Sequence, residues 1–360
     1  FGVILLHLVS IQTATTHAEG PPVPVVQFLF GGFMMFLVIS GLFYKPGKSY
    51  ADNLVHRILP LIVVFVVSTI AMTVIMFVEM WILGYNVFDY DIVGLIGAVL
   101  IGKGSFLVIG SPEFLATKVI MAPFEVTIQM YYLQVLIVGY ILFFALADHV
   151  LDDWRKTVVT IVILLGITGL YMEYVAIQLP FYIYQAPFVT VLLLVGASMK
   201  KYNLFDLLEN GMRTRRFWLL LAASLVLMAV SLLCFPADLD LSKFSLGEYG
   251  VFSPFTCMLV SLSCGMIWLY MMAFVSKIPV ISGILEYMGR NVLYFFLLHV
   301  LVAKMLIAPF VTISTDVWIP LYGLDAWIVF FVTLFVIAVL TQLYRKYRPE
   351  VEERLQMYQE

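Results

Sequence analysis

Residues 58–82 read ILPLIVVFVVSTIAMTVIMFVEMWI, with Glu79 the only Asp, Glu, Lys or Arg in the run. At 1.5 Å rise per residue a helix of this length outreaches the ~30 Å hydrocarbon core of a bilayer. Nothing in it alternates as a strand would, and no cluster of polar residues breaks it. This stretch predicts a membrane-spanning helix, and the rest of the chain repeats the pattern.

Working outward, the sequence shows the end of one span at 1–14, then spans at about 26–44, 128–147, 157–175, 178–198, 217–236, 253–275, 291–309 and 326–344. With 58–82 these make ten. Residues 92–109 are apolar but Gly-rich, contain Lys103, and are followed by Ser111, Pro112, Glu113 and Pro123. They are expected to form a re-entrant or interfacial segment in a long loop. The expected fold is all-α: a polytopic helix bundle forming a single transmembrane domain over 1–344, with a short polar tail at 345–360. The chain starts at Phe1 inside an apolar run, so residues are expected to precede it.

Composition agrees. Hydrophobic residues make up 63% and charged residues 12%, with mean hydropathy +1.03. Soluble domains are about 45–50% apolar and about 25% charged. These values exclude a disordered chain, a nucleic-acid binder and an ordinary cytosolic enzyme. The net charge of −3 says little about partners, because in a membrane protein the placement of charge matters more than its sum. If the loop 45–57 is cytoplasmic and the spans alternate, then of the 20 Lys and Arg only Lys103, Lys118 and Lys243 fall outside, while Lys304 lies within a span. That bias follows the positive-inside rule and places both termini in the cytoplasm. The expected location is the plasma or inner membrane. Cys234, Cys257 and Cys264 have neither metal-ligand nor disulfide spacing and read as small core hydrophobes.

Ionisable groups within a span are costly and mark function by default. His7, set in Val3–Val9, and His299, set in Tyr294–Val300, are such groups. A neutral imidazole accepts a proton near pH 7, although a His can also serve as packing glue between helices. Ser40-Gly41 thins the second span so that a neighbour or ligand can approach its backbone, and Lys45, Lys48, His56 and Arg57 follow at its inner mouth. Positive charge beside an apolar cleft suits an anionic ligand with an acyl part, and equally suits plain anchoring. Toward the other side, Glu79, Glu125, Gln129, Tyr131, Tyr132, Tyr171, Glu173 and Tyr174 mix carboxylates with aromatic rings. That mixture fits a polyhydroxylated ligand.

Laid out in order, these strings resemble the acyltransferase-3 family of integral membrane acyltransferases. The matches are Leu6-His7; Phe36-Leu37-Val38-Ile39-Ser40-Gly41-Leu42-Phe43; His56-Arg57-Ile58-Leu59-Pro60; Gln129-Met130-Tyr131-Tyr132-Leu133; Val195-Gly196-Ala197-Ser198-Met199-Lys200-Lys201; and Met288–Tyr294 running into Leu298-His299. Gln129 stands where the family commonly has His, and Tyr132 where it has Phe or Trp. The resemblance covers nearly the whole chain.

It implies an O-acetyltransferase-like enzyme taking an acyl group, most often acetyl, from cytoplasmic acyl-CoA to a hydroxyl of an exported or cell-surface carbohydrate. The CoA phosphates would meet Lys45, Lys48 and Arg57, with Lys200 and Lys201 nearby, and the pantetheine arm would pass Ser40-Gly41. His7 would act as general base about 10–15 Å deeper, with His299 as a second catalytic candidate. Gln129, Tyr132 and Glu173 would bind the acceptor, and Ser40, His299 or Asn291 would stabilise the oxyanion. No metal is required. The competing expectation is a transporter or flippase of a surface-glycan precursor with no acyl chemistry. Its mark is paired interrupted spans in the two halves, and only 84–127 has that character.

Overall fold

The computed structural model describes residues 23–82, 131–175, 179–235, 239–240, 245–246, 249–302 and 324–347. Their order is α1 (Val23–Leu42), α2 (Leu59–Ile82), α3 (Tyr131–Val150), α4 (Trp154–Tyr174), α5 (Ala186–Lys201), α6 (Leu204–Asn210), α7 (Arg215–Cys234), α8 (Ser253–Val275), α9 (Pro279–Arg290), α10 (Val292–Leu301) and α11 (Leu324–Tyr347). A single turn, Tyr50–Asn53, and a π-turn, Leu54–Ile58, lead into α2, and a 3₁₀ stretch, Pro180–Gln185, leads into α5. Two-residue strands, Leu239–Asp240 and Ser245–Leu246, pair antiparallel with Leu239 opposite Leu246. Among the described residues seven helices are long and apolar enough to cross a membrane. The chain is therefore an all-α polytopic bundle.

The bundle is apolar on its outside as well as its inside. Val63 and Val67 of α2, Ile163 and Ile167 of α4, and Val226 and Leu233 of α7 all stand exposed. A water-soluble fold would bury such faces, whereas here lipid is their solvent. The centre is built by α1, which packs against α5 and α8, with α3 on α5 and α7 on α8. Phe30, Met34 and Leu37 of α1 meet Phe188 and Leu192 of α5 and Cys257 and Cys264 of α8 in one buried cluster.

Without a hydrophobic drive between helices in lipid, close backbone approach and interhelical hydrogen bonds hold them together. The crossing of α1 and α5 shows the first. A methyl group on Gly196 would overlap the carbonyl oxygen of Val38, and one on Gly41 would overlap that of Leu193. The second appears where Thr190 donates to the Gly139 carbonyl at 3.1 Å, Trp268 to Phe28 at 2.8 Å, and Gln27 to Phe235 at 2.9 Å. Other buried hydroxyls donate back to their own helix: Thr168 to Leu164 and Thr341 to Ile337.

The structure refines several sequence expectations. The helix expected from 58 already begins at Tyr50, because Ser49 caps it by accepting from the Asp52 amide at 3.1 Å. A π-turn with the Leu59 amide bonded to the Leu54 carbonyl then carries it into α2. Residues 279–290, which fall between the expected spans 253–275 and 291–309, form the amphipathic helix α9. Cys257 and Cys264 are buried as expected, but Cys234, at the end of α7, is exposed. Helix α10 covers 292–301 of the expected span 291–309, and α11 overlies the expected span 326–344; neither is among the seven helices counted above. The span ending at 14 and the segment 92–109 lie outside the described residues, as does the tail beyond 347.

Candidate functional site

At one end of the bundle the basic residues converge. Helix α1 ends with carbonyl oxygens that have no partner within their own helix, and side chains from three other elements supply donors. Tyr140 of α3 donates to the Ser40 carbonyl at 3.3 Å, Arg57 of the π-turn to Phe43 at 2.7 Å, and Lys200 of α5 to Tyr44 at 3.3 Å. Two of these donors are cations at the negative end of a helix, where the backbone dipoles favour positive charge. Lys201 likewise donates to the carbonyls of Leu151 and Asp152, the latter at 2.8 Å.

Tyr44 ties this end to α3 a second time, its hydroxyl donating to the Asp148 carboxylate. Burial, reinforced by that carboxylate, holds its phenol well above the ordinary tyrosine range, so it remains a neutral donor. Its ring packs edge-on against Phe143 at 5.3 Å. Between these anchors runs the loop 43–49, with Gly47 in the left-handed region at φ +83° and with Lys45 and Lys48 exposed. Arg57 and Lys200 thus have the Phe43 and Tyr44 carbonyls, just past α1, as partners, while Lys45 and Lys48 present their charge to solvent.

Ser40 and Gly41 are placed differently from a simple ligand channel. The Ser40 hydroxyl donates back to the Phe36 carbonyl at 2.8 Å, and Gly41 is taken up by the crossing with α5. Both lie directly above the basic loop.

Deeper in the bundle, three helices bring together a cluster of aromatic rings, one of which, Phe296, neighbours an imidazole. Tyr132 of α3 is buried among Phe33 and Phe36 of α1, at 5.2 and 5.9 Å, and Phe296 of α10, at 5.4 Å between centroids. Phe296 in turn stands 6.2 Å from the ring of His299. His299 is buried, and its Nδ1 lies 2.7 Å from the Phe296 carbonyl and 3.0 Å from that of Phe295. Carbonyls only accept, so Nδ1 carries the proton and the basic lone pair of the neutral ring belongs to Nε2.

Asn291, at the start of α10, is buried, with Nδ2 donating to the Tyr287 carbonyl at 2.7 Å. Of the three groups expected as oxyanion donors, Ser40 and Asn291 thus have a donor committed to backbone. His299 can offer a donor from Nε2 once that atom is protonated.

His299 and Tyr132 both neighbour one phenylalanine, Phe296. The structure does not bring Glu173 to them: that residue is exposed on the last turn of α4, beside Gly250, near the stacked pair Tyr171 and Tyr184 at 5.8 Å. His7 and Gln129 lie outside the described residues. Sequence reasoning missed Tyr140, Tyr44 and Asp148. The signal for Tyr140 was the Tyr132, Leu136, Tyr140, Phe144 spacing of four, which lays one stripe along α3.

The family model described as an acyltransferase domain, that of the acyltransferase-3 family, matches residues 1–345. No curated protein and no solved structure gives a significant match to the chain.

Proposed function

This chain belongs to the acyltransferase-3 family, and from that membership we propose that it moves an acyl group, acetyl foremost, from cytoplasmic acyl-CoA to a hydroxyl of an exported or cell-surface carbohydrate. It works within the plasma or inner membrane, with both termini in the cytoplasm. The observation that carries the reading is the pair of backbone carbonyls facing Nδ1 of the buried His299. A buried imidazole with Nδ1–H tied to its own helix has a single basic atom to offer.

In this mechanism the CoA phosphates sit against Lys45 and Lys48, on the loop that Arg57, Lys200 and Tyr44 hold in place. The pantetheine arm passes the inner end of α1 near Ser40. His299 lies eight residues beyond Asn291, about 12 Å along α10 at 1.5 Å per residue. Nε2 takes the proton of the acceptor hydroxyl as that oxygen attacks the thioester carbonyl. The tetrahedral intermediate collapses, the C–S bond breaks, and the CoA thiolate leaves. The proton returns from the imidazolium to the thiolate, so ester and free CoA are the products. His7 is the alternative base, and a relay between the two histidines is compatible with the same balance. Tyr132 supplies a stacking face for the acceptor, while Gln129 and Glu173 would contact the parts of a glycan nearer the far end.

Membranes containing the protein, incubated with labelled acetyl-CoA, test this. Release of free CoA together with label in surface glycan, lost in His299→Ala or His7→Ala at equal expression, is the expected result. Equal traces in wild type and both variants would remove the histidines from the chemistry.

A further inference from the structure

A large cavity remains that this chemistry does not use. It is a groove of about 810 Å³ on the flank of the bundle, between α2 and α3. One stripe of α3, Gln134, Ile137, Val138, Ile141, Leu142 and Ala145, forms a wall. This stripe is set apart on the helix from the Tyr132–Tyr140 stripe that meets α1. Ile62, Phe65 and Val66 of α2 form the facing wall. Tyr50 borders the groove at the basic end, and Phe181 and Ile183, just before α5 begins, border it at the other.

Three properties identify the occupant. The rim residues Ile62, Ile141, Phe181 and Ile183 are exposed on an apolar flank, so the groove opens sideways to lipid rather than to water. From Gln134 to Ala145 the wall rises about 16 Å along the middle of α3, length enough for most of one lipid hydrocarbon chain, which fills half of the ~30 Å hydrocarbon core. Tyr50, at the basic end, directly follows the exposed Lys45 and Lys48. We propose that the groove holds one hydrocarbon chain of an anionic phospholipid, whose headgroup sits beside Tyr50 and Lys48. A chain lodged between two helices replaces side-chain packing there, and the headgroup brings negative charge to the basic loop. The hydrocarbon chain lies on a flank that the acyl-transfer reaction does not touch, while the headgroup shares Lys48 with the CoA phosphates of the proposed reaction.

The full chain in nanodiscs of phosphatidylcholine, doped with phosphatidylglycerol carrying a mid-chain diazirine, provides the test. Helix α7, exposed along most of its length, reports chance contact with surrounding lipid in the same sample. Photolysis and peptide mapping should label the groove segments of α2 and α3 severalfold above α7. Ala145→Trp and Val138→Trp should each bring the groove down to the α7 level while α7 itself is unchanged. Two Trp positions on one stripe guard against a single misfolded variant. Groove labelling no higher than α7 in wild type, or labelling that survives both substitutions, would overturn the proposal. Equal labelling by a diazirine phosphatidylcholine would overturn the anionic headgroup.

Discussion

The imidazole of His299 donates from Nδ1 to the carbonyl oxygen of Phe296, three residues earlier on the same helix, at 2.7 Å. The bond lies within one helix, so the tautomer it favours needs no partner from another helix. Replacing His299 with Ala should lower transfer by about 10²–10⁴-fold, the range for a positioned general base. His299→Gln keeps a polar side chain of similar length without a basic atom, and should be equally inactive. The check is CoA release per mole of purified protein; either variant retaining activity within tenfold of wild type would assign the residue to packing.

Lys45 and Lys48 should separate from Arg57 and Lys200 in their effects. Lys45→Gln with Lys48→Gln should raise KM for acyl-CoA, flatten its dependence on salt and leave thermal stability unchanged. Arg57→Gln or Lys200→Gln should instead lower the melting temperature, because each removes a donor from the end of α1. A hydrogen bond from a cation at this half-exposed position contributes on the order of 1 kcal/mol. Thermal unfolding in detergent beside KM measurements makes the distinction, and a stability loss in the double Lys variant would defeat it.

Gly196→Ala should be strongly destabilising and Gly166→Ala should not. A methyl at Gly196 meets the Val38 backbone, which cannot step aside, whereas nothing lies within 4 Å of one added at Gly166. Overpacking of this kind costs about 1–3 kcal/mol. Gly to Ala in an open helix gains as much as about 1 kcal/mol. Melting temperatures should therefore move in opposite directions.

Acid should loosen the turn between α3 and α4. The side-chain hydrogen bond from Lys156, aided by its charge, holds the Asp152 carboxylate below its ordinary range. Stability from a lowered carboxylate pKa is present above the unfolded value and disappears as pH falls through the folded one. Protection factors of the amides around 152–156, taken relative to the intrinsic exchange rate at each pH, should fall below about pH 4, where carboxylates begin to protonate. Asp152→Asn should remove the pH dependence; an unaltered profile in that variant would trace the effect to other groups. Both partners are well exposed, so the change is confined to local opening.

The spans were legible because lipid demands a long apolar run, and 58–82 or 217–236 satisfy that demand residue by residue. Helix α9 was not, since twelve residues holding Pro279, Gly283 and Gly289 match no spanning pattern. Arg57 shows a deeper limit. A basic loop residue reads as a ligand for phosphate, yet its nearest acceptor is the Phe43 carbonyl fourteen residues back. The π-turn that aims it there leaves no mark in composition. Tyr132 and His299 were each singled out, but their meeting at Phe296 depends on how α3 and α10 pack, which no local string encodes. Glu173 was grouped with Tyr132 through residue type alone, and the fold puts it on the exposed end of α4.

Where α1 crosses α5, backbone rests on backbone with no side chain between. Side chains re-sort among rotamers when temperature, lipid thickness or a bound ligand changes, but peptide planes in contact have no such freedom. The separation of these two rods at Gly41 and Gly196 is consequently a fixed gauge. The basic loop begins two residues after Gly41, so its position is referred to a crossing in which neither helix can be repacked by a change of rotamer.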